Sequence, residues 1–176
     1  MPFSVECYFD RAAEGAVRGL WTALAAAQIN SRMIEVDARP HISLTVAEGE
    51  PTLPVGRRLQ EFVSARTRFQ IQFGSVGVFP NDLGVLFLAP QASSELARLH
   101  LDWCAAVSAL EIPVWEHYMP GNWTPHCTLA IGLLPDRFAD AFGISREVPF
   151  PLRAEIREIS LVKIGPREVV SVFPLA

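Results

Sequence analysis

Two short segments of this sequence carry the same arrangement of a histidine and a hydroxyl residue. The segment Pro40–Leu44 reads PHISL and the segment Pro125–Leu129 reads PHCTL, so both follow the pattern Pro-His-apolar-Ser/Thr-Leu. We call them the first motif and the second motif. A single His-x-Ser/Thr carries little information, but the chain has only 4 histidines, and two matching copies indicate chemistry that needs two imidazoles and two hydroxyls.

The four side chains of the motifs, His41, Ser43, His126 and Thr128, are suited to displacement at phosphorus. An imidazole titrates near pH ~6.5, so at neutral pH one ring can accept a proton while the other donates one. In-line displacement needs these two groups on opposite sides of the phosphate, which two separate strands can supply. The hydroxyls can hydrogen-bond the non-bridging oxygens and stabilise transition-state charge. These residue types leave open which histidine is the base.

Both motifs are predicted to lie on β-strands. Side chains alternate between the two faces of a strand, so His41 and Ser43 share one face, and their apolar neighbours face a core. The same alternation places His126 and Thr128 together and turns Cys127 toward the core. A Cys-His nucleophilic pair is therefore disfavoured. If the two strands lie near each other, both histidines and both hydroxyls converge on one groove.

The apolar pattern of the whole chain predicts an α+β fold. Period-two alternation indicates strands, and recurrence at helical spacing indicates helices. The order is βαβαβ in the first half and βαββ in the second, with one motif in each half. We therefore predict a duplicated two-lobed unit within a single domain, residues 1–176, in which mostly antiparallel sheets line a central groove and helices cover the outer faces. The predicted strands are about Phe3–Phe9, Arg39–Val46, Phe69–Phe73, Gly84–Ala89, Thr124–Ile131, Leu152–Ile164 and Glu168–Phe173, and the helices Arg11–Ile29, Pro54–Ala65, Ser93–Leu110 and Asp136–Phe142.

Composition excludes several classes of protein. The formal net charge of -4 argues against an extended nucleic-acid surface, which requires many Lys and Arg, but it permits one phosphate or an RNA end. Cys7, Cys104 and Cys127 form no CxxC pair, so neither a disulfide framework nor a zinc ribbon is expected, and a cytoplasmic location fits best. No signal peptide or membrane-spanning apolar run is readable.

The two motifs resemble those of the 2H phosphoesterase superfamily, in particular its 2′-5′ RNA ligase-like and cyclic phosphodiesterase branch. PHISL and PHCTL carry the resemblance, and the order of strands and helices is similar to that family's two-lobed α+β fold. It implies that His41 and His126 are the acid–base pair and that Ser43, in place of the commoner Thr, and Thr128 bind phosphate. It also implies a nucleotide or RNA-end substrate with a 2′,3′-cyclic phosphate or a 2′-5′ linkage, without cofactor or metal.

Four further residues are candidates for substrate contact. Tyr118 and Trp123 belong to an aromatic loop, residues 115–123, that leads into the second motif, and aromatic rings at a groove mouth can stack a base. Tyr8 lies on the polar face of the first strand. Arg153 lies on the polar face of a late strand and can supply positive charge to a phosphate. Each of these residues also fits an ordinary structural role.

Two other classes of function stay open on the sequence. The same groove can bind a nucleotide or an RNA end without turnover, although no catalytic element of the motifs is missing. A metal-dependent hydrolase can use His41 and His126 as ligands, but a well-placed third carboxylate or histidine is lacking. We therefore predict a metal-independent phosphodiesterase or RNA end-processing enzyme that works by His/His general acid–base catalysis.

Overall fold

Seven β-strands and five α-helices make up the fold in the computed structural model, which describes residues 1–176. The predicted α+β class is confirmed. The strands are β1 Phe3–Phe9, β2 His41–Ala47, β3 Phe69–Val78, β4 Leu86–Pro90, β5 Cys127–Ala130, β6 Leu152–Lys163 and β7 Glu168–Pro174. The helices are α1 Arg11–Ala26, α2 Arg32–Glu35, α3 Leu53–Ser64, α4 Ser94–Val107 and α5 Phe138–Ser145.

All seven strands join one sheet, and every neighbouring pair in it is antiparallel. The order is β2-β1-β6-β3-β4-β5, and β7 also pairs with β6. The central strand β6 has 12 residues. Its N-terminal part pairs with β3, and its C-terminal part pairs with β1 and β7. The antiparallel pairing is as predicted, and the strands form one continuous sheet.

The two strands at the ends of this order, β2 and β5, contact each other although no ladder pairs them. The sheet therefore curves until its two ends meet, and this curvature brings the first and second motifs together. The indole of Trp21 on α1 donates a hydrogen bond of 3.1 Å to the Thr128 carbonyl, which ties β5 to the first helix.

One hydrophobic core of 36 buried residues lies between the sheet and the helices, and every helix contributes to it. Burial of each large apolar side chain stabilises the fold by about 1.5–3 kcal/mol, so this core dominates the stability. Its members on β2 and β5 are Ile42, Leu44, Ala47, Cys127, Leu129 and Ala130. Because these strands turn their apolar face to the core, the other face is left for the motif side chains.

The predicted elements are all present, with local differences. The strand β3 extends to Val78, past the predicted end at Phe73. The second motif strand begins at Cys127 instead of Thr124, so His126 lies immediately before β5. The helix α2 has only 4 residues, too few to produce a helical period, and it was not predicted. No helix has both the length and the apolar character needed to cross a membrane.

Candidate active site

The first motif occupies the start of β2. The imidazole Nδ1 of His41 lies 2.6 Å from the carbonyl oxygen of Arg39, and because a carbonyl only accepts, Nδ1 is the donor. Ser43 is half-buried on the same face. Ile42 and Leu44 are fully buried in the core. The alternation predicted for this strand is therefore observed.

The second motif repeats this local geometry. Nδ1 of His126 lies 2.7 Å from the carbonyl oxygen of Thr124, which is again two residues before the histidine. Thr128 is half-buried, whereas Cys127 is fully buried. Burial in the core raises the pKa of the Cys127 thiol to about 12, so it is not a thiolate at neutral pH. The predicted orientation of Cys127 toward the core is observed.

The hydrogen bond that each histidine donates from Nδ1 decides which of its ring atoms is available. A neutral imidazole that keeps its proton on Nδ1 carries its lone pair on Nε2. His41 and His126 therefore both leave Nε2 free to hold or release a proton. The rings are close enough that the charge of His41 is felt at His126.

The carboxylate of Glu6 lies beside the Nε2 atom of His41. Its side chain is only 5% exposed, and its Oε1 lies 3.7 Å from that nitrogen. Ser4 Oγ donates to Oε1 at 2.7 Å, while Tyr8 Oη and Arg167 Nη2 donate to Oε2 at 2.8 and 2.9 Å. Burial opposes ionisation of this carboxyl, but the charges of His41 and Arg167 and the two hydroxyls together hold the pKa of Glu6 below its ordinary value.

His126 has apolar surroundings instead. The ring centroid of Phe79 lies 4.9 Å from that of His126, and the centroid of Phe87 lies 5.3 Å away. Burial lowers the pKa of His126, and the charge of His41 lowers it further, while the Thr124 carbonyl opposes both. The two histidines thus share a local geometry and differ in their environment.

The aromatic loop that precedes the second motif packs against the first motif. Burial raises the pKa of Tyr118 to about 12. A hydrogen bond with the Ser43 side chain lowers this pKa, whereas the charge of Glu6 raises it. Trp123 donates from Nε1 to the Ser43 carbonyl at 3.0 Å. One face of the Trp123 indole stacks on His100, at 4.0 Å between centroids and 5° between planes. Base stacking by Tyr118 or Trp123 stays a prediction. For Trp123 only the indole face that points away from His100 is available.

Tyr8 and Arg153 occupy contrasting positions. Tyr8 is 1% exposed, and its hydroxyl is engaged by Glu6 and Arg167 at 2.8 Å each. Arg153 is exposed on the N-terminal part of β6, opposite Gln72 of β3, and it forms no ion pair. The ring centroid of Tyr8 lies 6.5 Å from that of His41, whereas Arg153 is placed by its pairing with Gln72 of β3. Substrate contact by either residue stays a prediction.

Three residues near the histidines were not assigned from the sequence, namely Arg167, Phe79 and Phe87. Arg167 lies in the turn between β6 and β7, 161 positions from Glu6, and no local pattern relates the two. Phe79 follows β3, and its neighbour Phe87 is a buried residue of β4. Glu6 itself shares the polar face of β1 with Tyr8, which was the one available signal for its position.

This arrangement can transfer protons at both ends of a bound phosphoester. Two free Nε2 atoms can act as acceptor and donor, and the hydroxyls of Ser43 and Thr128 lie beside them to hold phosphate oxygens. No group of three or more His, Cys, Asp or Glu side chains has an arrangement that could hold a metal ion.

Comparison with known proteins identifies relatives of this chain. A sequence model of the 2′-5′ RNA ligase superfamily matches residues 12–168, whereas no curated protein matches the sequence significantly. The fold is similar to TT0787 of Thermus thermophilus, with a TM-score of 0.68, 20% identity, and coverage of 99% of this chain and 98% of that one. Apo LigT of E. coli has a TM-score of 0.67 and 10% identity, with coverage of 99% of this chain and 97% of that one. Usb1 of Kluyveromyces marxianus has a TM-score of 0.55 and 13% identity, with coverage of 99% of this chain and 97% of that one. LigT has also been solved in complex with 3′-AMP, ATP and NADP+. At these identities the structural likeness concerns the fold.

Proposed function

The chain belongs to the 2′-5′ RNA ligase superfamily, the 2H phosphoesterases, and we propose that it is a metal-independent phosphodiesterase that processes nucleotides or RNA ends. Its substrate carries a 2′,3′-cyclic phosphate or a 2′-5′ linkage. The observation that carries this proposal is the matched pair of histidines. Each donates Nδ1–H to the carbonyl two residues before it and leaves Nε2 free.

The proposed reaction is in-line hydrolysis of the phosphoester. One Nε2 takes a proton from the attacking water, the water oxygen bonds to phosphorus, and the other Nε2 gives its proton to the ribose oxygen as the P–O bond breaks. The hydroxyls of Ser43 and Thr128 hydrogen-bond the non-bridging oxygens. A positioned acid or base contributes about 10²–10⁴-fold to such a rate, and a positioned donor to the developing charge adds to this.

We infer that residues 1–176 work as one domain with two pseudo-symmetric lobes. The first lobe contains β1, β2, β7 and the C-terminal part of β6, and the second contains β3, β4, β5 and the N-terminal part of β6. Support for this division comes from the pairing of β6 with different neighbours along its length. Each lobe then contributes one histidine and one hydroxyl to the groove between them.

The proposed class of substrate is supported by the ligands of LigT and by the net charge of the chain. LigT, a protein with a similar fold, forms complexes with 3′-AMP and with ATP, which supports a nucleotide in the corresponding groove. The net charge of -4 does not favour a long nucleic-acid footprint, because such binding needs many cationic contacts. An RNA end or a small nucleotide therefore fits better than an extended strand.

Hydrolysis assays with histidine variants test this function. A panel of 2′,3′-cyclic nucleotides and 2′-5′-linked dinucleotides is incubated with the wild type in EDTA. We expect turnover, and we expect His41→Ala and His126→Ala each to lower kcat/KM by at least about 100-fold. His117→Ala is the matched control, because His117 is exposed in the aromatic loop and lies outside both motifs.

Three results would contradict the proposal. Wild-type activity in either motif variant excludes the acid–base pair, and loss of activity in EDTA excludes the metal-independent mechanism. Tight binding of a cyclic nucleotide without product after long incubation supports a binding module that uses the same groove.

A further inference from the structure

The buried side chain of Glu6 has no part in the reaction described above. It is the only carboxylate among the buried residues of the protein. Burial of a carboxylate is costly unless its oxygens are paired and hydrogen-bonded. Both oxygens of Glu6 are engaged, by Ser4, Tyr8 and Arg167. Such a complete set of partners fixes the carboxylate in one orientation beside His41.

The distance between Glu6 and His41 shows how the two groups interact. Oε1 of Glu6 and Nε2 of His41 are 3.7 Å apart, which is longer than the ~2.7–3.2 Å of a hydrogen bond. The carboxylate therefore acts on the ring through its charge, and the Nε2 proton is left free to reach a substrate oxygen. The interaction is also felt at the carboxylate, because the charge of His41 helps to keep Glu6 ionised.

We propose that Glu6 is a positioning residue that makes His41 the proton donor of the reaction and leaves His126 as the proton acceptor. This inference rests on the proposed function. In the hydrolytic step, Nε2 of neutral His126 takes a proton from water as the water oxygen attacks phosphorus. The P–O bond to the leaving ribose oxygen breaks, and that oxygen takes the Nε2 proton of charged His41. The product is a phosphomonoester, and solvent returns both rings to their starting forms.

The surroundings of His126 support the same division of roles. Phe79 and Phe87 flank its ring, and no carboxylate forms an ion pair with it, whereas Glu6 does so with His41. Burial lowers the pKa of His126, which keeps this ring neutral and able to accept a proton at neutral pH. A neutral base and a charged acid are the forms that the reaction requires.

The other charged and titratable groups around His41 leave Glu6 as the group that distinguishes it. Each cation nearby has its own counter-charge: Arg167 pairs with Glu6, and Arg39 pairs with Glu14 of α1 and Glu158 of β6 at 2.6 Å each. Glu6, Tyr8 and His126 interact with the ring of His41 directly. The other charged and titratable groups on the surrounding elements contact Glu6, Tyr8, Ser43 or Arg39 instead, and they are Arg39 before β2, Tyr118 from the aromatic loop, Glu158 from β6 and Arg167 from the β6–β7 turn.

The test compares pH profiles of Glu6→Gln and Ser4→Ala with 2′,3′-cyclic CMP as substrate. Glu6→Gln keeps the size of the side chain and removes its charge, so the charged form of His41 is favoured less. We expect the alkaline limb of kcat/KM to move to lower pH and the acid limb to stay. A move of about one pH unit lowers the activity on that limb about tenfold. Ser4→Ala removes a hydrogen bond to Glu6 but no charge, and both limbs should stay in place.

A profile whose limbs do not move in Glu6→Gln overturns the inference, even if the overall rate falls, because a purely structural role lowers the rate at every pH. A move of the acid limb alone also overturns it, since His41 would then be the acceptor. If Arg167 without its partner prevents folding, the double variant Glu6→Gln/Arg167→Gln removes one charge of each sign. The alkaline limb should then move in the same direction but less far, because Glu6 is the member of the pair that contacts His41.

A measurement without substrate separates this inference from the proposed function. Nitrogen NMR of the ring of His41 reports its charge directly, and we expect a smaller charged fraction at neutral pH in Glu6→Gln than in the wild type. Equal fractions overturn the role of Glu6. A wild type that hydrolyses nothing, while the ring of His41 still responds to Glu6→Gln, contradicts the proposed function alone.

Discussion

His41 and His126 each donate a hydrogen bond to the carbonyl two residues before them, yet their rings lie in different surroundings. The local bond follows from neighbouring residues in the chain, and it fixes the ring atom that is available for chemistry. The groups around each ring come from distant parts of the sequence, namely Glu6 for the first ring and Phe87 for the second. Two identical side chains can therefore serve as acid and base in one reaction.

At the scale of single residues we predict the effect of removing one motif hydroxyl. Thr128→Val keeps the branched shape of the side chain but cannot donate to a phosphate oxygen. We expect kcat for a cyclic nucleotide to fall about 100-fold, because a donor to developing charge is worth that much. Thr128→Ser, which restores the hydroxyl, is the matched control and should keep most of the activity. Wild-type kcat in Thr128→Val would exclude this hydroxyl from the transition state.

At the scale of elements, the two motif strands are held in place by different partners. The end of β2 is held by the start of the aromatic loop, where Trp115 N donates to the Val46 carbonyl at 2.9 Å. The strand β5 has only 4 residues, and it pairs with β4 on one edge. This pairing continues past β5, since Leu133 N donates to the Gly84 carbonyl at 3.0 Å. The connection before β4 therefore helps to fix the second motif.

Gly84 is the residue of that connection which should not tolerate a side chain. Its φ is +59°, and a Cβ atom there would lie 2.6 Å from Leu133 N and closer still to the Leu133 carbonyl. We expect Gly84→Ala to lower the free energy of unfolding by at least about 2 kcal/mol, from backbone strain and a clash with backbone atoms. Urea unfolding at neutral pH measures this change.

Gly19 on α1 is the matched control for Gly84. It is exposed, and a Cβ atom there meets nothing within 4 Å. Gly19→Ala should raise the free energy of unfolding by about 1 kcal/mol, because alanine favours the helix interior. Equal effects of the two substitutions would show that the close approach of Gly84 to Leu133 does not occur.

At the scale of the whole molecule, the buried ionisable groups predict how stability depends on pH. The pKa of His126 and that of His100 are lowered by burial from 6.5, and the pKa of Glu6 is lowered from 4.5 by its partners despite burial. A group with a lowered pKa stabilises the fold above its unfolded value, and this contribution is lost as the pH falls through the folded value. Stability should therefore decrease below pH 6.5 and again below pH 4.5.

The alkaline side of the profile depends on buried acids with raised pKa values. Burial raises the pKa of Cys127 from 9.0 and that of Tyr118 from 10.0, each to about 12. The unfolded chain ionises these groups first, so the free energy of unfolding should fall above pH 9.0. Urea titrations at about pH 5, 7.5 and 10 test both limbs. A free energy of unfolding that stays constant from about pH 7.5 to 5 would contradict the burial of the two histidines.

The sequence by itself determined the features that depend on chain neighbours. Alternation along β2 and β5 predicted that Ile42 and Cys127 face the core, because side-chain direction on a strand follows from backbone periodicity. Apolar spacing predicted all seven strands and every α-helix except the short α2 for the same reason. The repeated motif also predicted which histidines and hydroxyls to consider together.

Only the tertiary structure decided which distant groups meet. The pair of Glu6 and Arg167 spans 161 positions, and it exists because β1 and the β6–β7 turn are adjacent in space. The covered face of Trp123 and the pairing of Arg153 with Gln72 likewise depend on register and on the order of strands. Local periodicity contains no information on sheet order or curvature, since these depend on how all the elements bury their apolar faces together. The division between acid and base that we propose for His41 and His126 therefore required the folded molecule.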